Sequence, residues 1–296
     1  MNIRHRFLLA LDRTLVLFVG LGVGAVVGAS LIGGAAAPEA QASAPPASRP
    51  ASPPAAPAPA AQPMPRLMQA AAEERPIHVG VFGDSFGDGL HAGLYEQLPS
   101  ARGIVVHKMS RQATGFTRYR TTDLLDDTRR RLGGQPIDVA VLSFGANDIQ
   151  GIYFEGRGSA FMSERWRQIV EARVAALVAL LRRHGAAIYW VGLPTMRDPA
   201  FDGQIRRINA FYAELMPRLG VPYVETARMT ADAAGRYAPY LGHPRTGRRF
   251  MARANDGVHM TIPGYMLLTR GLAADIERSI AEARAHSGAG GPQRAR

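Results

Sequence analysis

Residues 137–148 read IDVAVLSFGAND. From Ile137 to Phe144 the chain is apolar and β-branched at successive positions rather than alternate ones, the pattern of a strand covered on both faces. A glycine and a polar pair then interrupt it. Such a strand belongs in a parallel sheet, which needs crossover helices on either side. Upstream lie an apolar run at 77–82 (IHVGVF), a helical pattern through Leu90, Leu94 and Leu98, a second run at 104–109 (IVVHKM), and an amphipathic stretch around Leu124, Leu125 and Leu132. Downstream, Ser163 is placed to cap a helix carrying Ile169, Val170, Val174, Leu177, Leu180 and Leu181 at helical spacing as far as His184, where Gly185 stops it. A strand at 187–193 (AIYWVGL), a helix at 205–219 and a fifth strand at 221–225 follow. After an irregular stretch from Thr230 to Asn255, Thr261 caps a final helix reaching about Ala285, with Pro263 in its first turn. The alternation predicts an α/β fold: a three-layer α/β/α sandwich around a parallel five-stranded sheet.

The first quarter of the 296-residue chain has another character. Arg4, Arg6 and Arg13 precede an uncharged apolar run from Leu15 to Ala37, close to the ~20 residues that cross a bilayer core as a helix. Residues 15–37 therefore read as a single-pass inner-membrane anchor, with 1–14 cytoplasmic and the body in the periplasm. The small residues from Gly33 to Ala37 keep open the alternative of a cleaved signal peptide. Residues 38–76, dominated at first by Ala, Pro and Ser, read as a disordered linker, 77–286 as the folded domain, and 287–296 as a disordered tail. The formal charge of +11 raises the question of nucleic acid, but Lys108 is the only lysine and no helix interleaves a basic stripe with aromatics. No nucleic-acid partner is expected. There is no cysteine, so no disulfide ties the chain to an oxidising compartment.

Three motifs carry chemistry. Gly83-Asp84-Ser85 follows the first strand and opens a helix, so Ser85 could attack with Oγ and stabilise an oxyanion with its own amide; the plain alternative is a helix cap. Asn147, just after the buried strand, could donate its side-chain amide to the same oxyanion, or simply form an Asx turn. Asp256 and His259 are spaced so that a tight turn lets the carboxylate reach back to Nδ1–H and set the tautomer. A phosphate-cradling loop at Gly83 is disfavoured by Asp84 and Asp88 and by the missing lysine.

Together these residues resemble the SGNH branch of the GDSL esterase/lipase superfamily, whose fold is flavodoxin-like, over about residues 77–285. The resemblance implies Ser85 as nucleophile, His259 as general base and Asp256 as its orienting acid. It implies an oxyanion hole of Ser85 N–H, Asn147 and a glycine amide, for which Gly115 is the candidate after the second strand. No cofactor or metal is implied. Ser163-Glu164-Arg165-Trp166, Trp190 to Pro194 and Asp256 to Thr261 resemble a membrane-anchored branch from bacterial cell envelopes. The implied substrate is an O-acyl group, acetyl included, on an acylated carbohydrate or envelope polymer. Transfer of that acyl group to a glycan hydroxyl is the first alternative. Others are a glycan-binding scaffold without activity and a metal-dependent phosphoesterase using Asp84, Asn147, Asp148 and His259, although the early Asp-x-His and later His-x-His clusters of such enzymes are missing. Arg245, Arg248, Arg249 and Arg253, with Arg118 and Arg120, form two basic loops that would favour an anionic substrate if they line the cleft.

Overall fold

A computed structural model describes residues 64–119 and 121–289. The expected anchor at 15–37, the cytoplasmic segment before it, the linker up to residue 63, Arg120, and the tail from residue 290 lie outside the described residues. Five parallel strands form the central sheet: β1 (Ile77–Gly83), β2 (Ile104–Lys108), β3 (Val139–Ser143), β6 (Ala187–Val191) and β7 (Tyr223–Val224). They lie in the order β2-β1-β3-β6-β7. β3 is buried at every position, as its uninterrupted apolar run requires.

The helices are α1 (Pro65–Ala72), α2 (Ser85–Gln97), α3 (Leu124–Leu132), α4 (Glu164–Arg183), α5 (Pro199–Arg218) and α6 (Ile262–Ala289). α1 and α2 pack on α6, and α3 packs on α4. Trp166 of α4 meets Phe211 of α5 edge-on at 5.7 Å. Right-handed crossovers send these two groups to opposite faces of the sheet, because the chain steps one way from β1 to β2 and the other way thereafter. Trp190 of β6 sits fully buried among Phe116, Phe144 and Tyr212.

Several boundaries differ from the sequence reading. The linker does not extend to residue 76: residues 65–72 are helical, with Leu67 and Ala70 fully buried. Pro65 starts the helix because a first-turn proline loses no hydrogen bond. Arg75 then makes a two-pronged ion pair with the fully buried Asp138, at 2.7 and 2.9 Å. The tail is helical to Ala289, so 287–289 belong to α6. α5 starts six residues early at Pro199, capped by the Asp198 side chain on Phe201 N–H at 2.7 Å. Two short antiparallel hairpins were not foreseen, β4–β5 (Ile152–Phe154, Arg157–Ser159) and β8–β9 (Tyr240–Gly242, Arg249–Met251). Among the described residues, no helix is long and apolar enough to cross a membrane.

Candidate active site

β2, β1 and β3 end side by side, and the three loops that leave them build the site. Gly83 is in register with Ser143, and Arg111 N–H donates to Gly83 O at 2.8 Å. β1 therefore ends in the middle, where the chain turns toward β2 on one side and β3 on the other, and a crevice opens at such a divergence. Ser85 is the first residue of α2, and Asp84 caps that helix by accepting from Phe86 N–H at 2.9 Å. A Cβ on Gly83 would collide with the Ser143 carbonyl oxygen, so only glycine permits this turn. Ser85 N–H, at the first helical position, has no intrahelical carbonyl to bond and is one of the donors that make up the positive end of the helix.

His259 meets Ser85 from the loop before α6. Its Nε2 lies 2.8 Å from Ser85 Oγ, and its Nδ1 lies 2.7 Å from Asp256 Oδ2. A carboxylate can only accept, so Nδ1 bears the hydrogen and Nε2 is left to accept from the Ser85 hydroxyl. The imidazole stacks on Phe86, with ring centroids 5.1 Å apart. Asp256 Oδ1 accepts from the amides of Val258 and His259 at 2.8 and 2.9 Å. Partial burial alone would raise the Asp256 carboxyl, but the His259 hydrogen bond and these two amides outweigh it and hold it below the usual range. Arg197, after β6, clasps the same loop by donating its N–H to Gly257 O and its guanidinium to Asn255 O, both at 2.9 Å.

Asn147 ties the other two loops together. Its Nδ2 donates to Thr114 O at 2.9 Å and to Asp84 Oδ2 at 3.2 Å. Those acceptors immediately precede Gly115 and Ser85 in the chain, so one side-chain amide sits between the two candidate backbone donors. Asp148 pins the Gly115 loop: its Oδ1 accepts from Thr117 N–H at 2.7 Å and from Thr117 Oγ1–H at 2.9 Å. A Cβ on Gly115 would stand 2.5 Å from that oxygen, and Asp148 is fully buried with nowhere to retreat. Burial pushes the Asp84 carboxyl up to about 7, against the Phe86 amide, with the neighbouring Asp148 adding to the rise. Burial raises Asp148 as well, against its bonds from Thr117.

The DUF459 family, described as "Protein of unknown function", matches residues 78–275. The chain belongs to the DUF459 family. The parallel five-stranded sheet with helices on both faces is the three-layer α/β fold expected from sequence. No curated protein matches the sequence. Among solved structures, the periplasmic domain of the lipopolysaccharide acetyltransferase of Salmonella ser. Paratyphi A superposes with a TM-score of 0.51 at 12% identity, covering 73% of this chain and 90% of that one. At this identity the likeness concerns the fold alone. A GDSL-like lipase from Bacteroides thetaiotaomicron (TM-score 0.46, 16% identity, 73% and 98% covered) and a catalytic mutant of an acetylxylan esterase from Geobacillus stearothermophilus (0.48, 17%, 70% and 94%) are also similar.

In this DUF459 chain the five site residues expected from sequence, Ser85, Gly115, Asn147, Asp256 and His259, come from the first turn of α2 and from loops gathered at the C-terminal end of the strands. The four candidate metal ligands do not converge. Asp84 and Asn147 bond each other, Asp148 bonds Thr117, and both ring nitrogens of His259 are engaged. The basic loops divide. Arg253 is 1% exposed and does not line the cleft: its guanidinium donates to Val258 O at 2.9 Å and lies over the Tyr237 ring, behind the His259 loop. Arg248 and Arg249 line a separate cavity against α6. Arg118 folds back on Ala113 O. Sequence reasoning missed Asp148 and Phe86 as supports, although each stands next to a motif residue.

Proposed function

We propose that the protein is a serine hydrolase of ester bonds, with Ser85, His259 and Asp256 as its triad. The observation that carries this reading is the continuous hydrogen-bond chain from Ser85 Oγ through His259 to Asp256. Ser85 Oγ attacks the ester carbonyl carbon while its proton passes to Nε2 of His259. Asp256, held ionised, stabilises the imidazolium. The oxyanion takes hydrogen bonds from Ser85 N–H, Gly115 N–H and Asn147, whose longer bond to Asp84 is the one it displaces. Collapse of the tetrahedral intermediate expels the alcohol oxygen, which takes the proton from Nε2. Water, deprotonated by His259, then frees the acid and restores Ser85.

The proposed substrate is an O-acyl group, acetyl included, on an envelope glycan, reached by a domain carried outside the cytoplasm on the 15–37 anchor. The motif resemblance and the uncharged run of that segment support this. A second reading replaces water with a glycan hydroxyl as acceptor; the fold shared with an acetyltransferase domain supports it. Both readings need the same nucleophile. Ser85→Ala is expected to abolish turnover of p-nitrophenyl acetate and labelling by a fluorophosphonate, with the circular dichroism spectrum unchanged. Labelling that survives in the variant assigns the nucleophile elsewhere.

A further inference from the structure

The β8–β9 hairpin lies against the first turns of α6, and between them is a cavity of about 330 Å³. That is the size of a small-molecule pocket. Phe250, Met266 and Leu267 supply its apolar surface, and Arg248, Arg249 and Arg270 supply charge. Among the described residues no carboxylate lines the cavity, and residues 233–255 and 257–274 contain no Asp or Glu. Elsewhere the arginines are commonly compensated, as in Arg75 with Asp138, Arg131 with Asp127 and Arg206 with Asp202. Here Arg270 reaches His243 at 3.4 Å and, among the described residues, pairs with no carboxylate, and Arg249 lies over the Tyr240 ring. Three guanidinium groups gathered without a counter-charge repel one another, and a bound anion relieves that repulsion through charge-assisted hydrogen bonds. The apolar surface selects further, since a bare hydrated ion gains nothing from it.

We propose that this cavity binds an organic anion, a phosphate or carboxylate carried on an apolar body, with Arg248, Arg249 and Arg270 holding the charge and Phe250, Met266 and Leu267 the body. Arg270 stands eight residues along α6 from Ile262, a rise of about 12 Å. The lining includes none of Ser85, Gly115, Asn147, Asp256 and His259, so binding there does not depend on the hydrolase reading. Calorimetric titration of the full-length Ser85→Ala protein with phenyl phosphate and with phenylacetate tests it without turnover. Inorganic phosphate and benzyl alcohol serve as the charge-only and body-only controls. At least one organic anion should bind saturably, about tenfold tighter than either control, and weaken with added salt. Arg248→Ala and Arg270→Glu should each lower that affinity roughly tenfold, while Arg183→Glu, an exposed arginine of α4, leaves it unchanged. Equal binding to the Arg248 and Arg270 variants, or organic anions no tighter than inorganic phosphate, would overturn the assignment.

Discussion

Asn147 has two N–H groups on one nitrogen and both already have acceptors, so the donation to an oxyanion proposed for it would be an exchange of partners rather than the filling of a free valence. The gain appears only as negative charge develops. Asn147→Ala should therefore lower kcat by about a hundredfold with little change in KM, measured on a soluble acetyl ester. Asp84 makes a separate prediction about stability. Its carboxyl titrates near 7 in the folded chain and near 3.8 when free, so the folded state holds the extra proton between those values. Its contribution to stability is complete below about pH 3.8 and lost as pH rises through 7. Burial lowers His78, His91 and His107, and their contribution runs the other way below their usual value. Comparison with Asp84→Asn isolates the carboxyl: in urea melts, the variant should lose stability relative to the parent at pH 5 and recover relative to it at pH 8. A pH-independent difference would place the raised titration elsewhere. At this scale the hydrogen-bonded residues Ser85, His259 and Asp256 were legible, because the proposed roles of nucleophile, base and acid each need a particular side chain. Asp148 was not, since a buried aspartate bonded to a backbone amide looks in sequence like any turn residue.

The loop that carries Asp256 and His259 is supported by β8–β9 and the residues after it. Thr261 N–H donates to Ala252 O at 3.0 Å, Thr261 Oγ1–H donates to Met251 O at 2.8 Å, and Arg253 pairs with Met260 as an isolated bridge. The buried Arg253 guanidinium reaches Val258 O from behind, and under the proposed mechanism it would position the imidazole. Arg253→Met fills the same volume without the donor. It should lower kcat roughly tenfold while KM holds, and the imidazole resonances of His259 should broaden in NMR spectra as the ring loses its fixed orientation. An unchanged kcat with a lower melting temperature would mean that Arg253 only packs. The hairpins escaped sequence reading for a physical reason: their strands are three residues long and largely exposed, too short for alternation to register. The central strands were legible because burial on both faces leaves no choice but apolar residues. The early start of α5 was also written, in Asp198-Pro199, but the apolar periodicity that catches the eye begins only at Ile205.

For the molecule as a whole, the entry of the chain into the domain matters most. α1 packs against α6, Arg66 N–H donates to Gly185 O at 3.3 Å, and Arg75 satisfies the buried Asp138 at the start of β3. This part was hidden in sequence because its Ala and Pro continue the composition of the preceding segment. Arg75→Ala should cost about 3 kcal/mol in denaturant melts, since it leaves a carboxylate buried without its main partner. A loss below about 1 kcal/mol would mean that Arg66, 3.8 Å from the same carboxylate, takes over. Pro65, Arg66 and Arg75 all meet the strands where they begin, whereas Ser85 lies where they end, and the seven residues of β1 separate the two by roughly 20 Å. The domain thus has a rear and a muzzle. The described chain therefore enters the domain at the end of the strands opposite the crevice, and a change at one end reaches the other only through the length of β1.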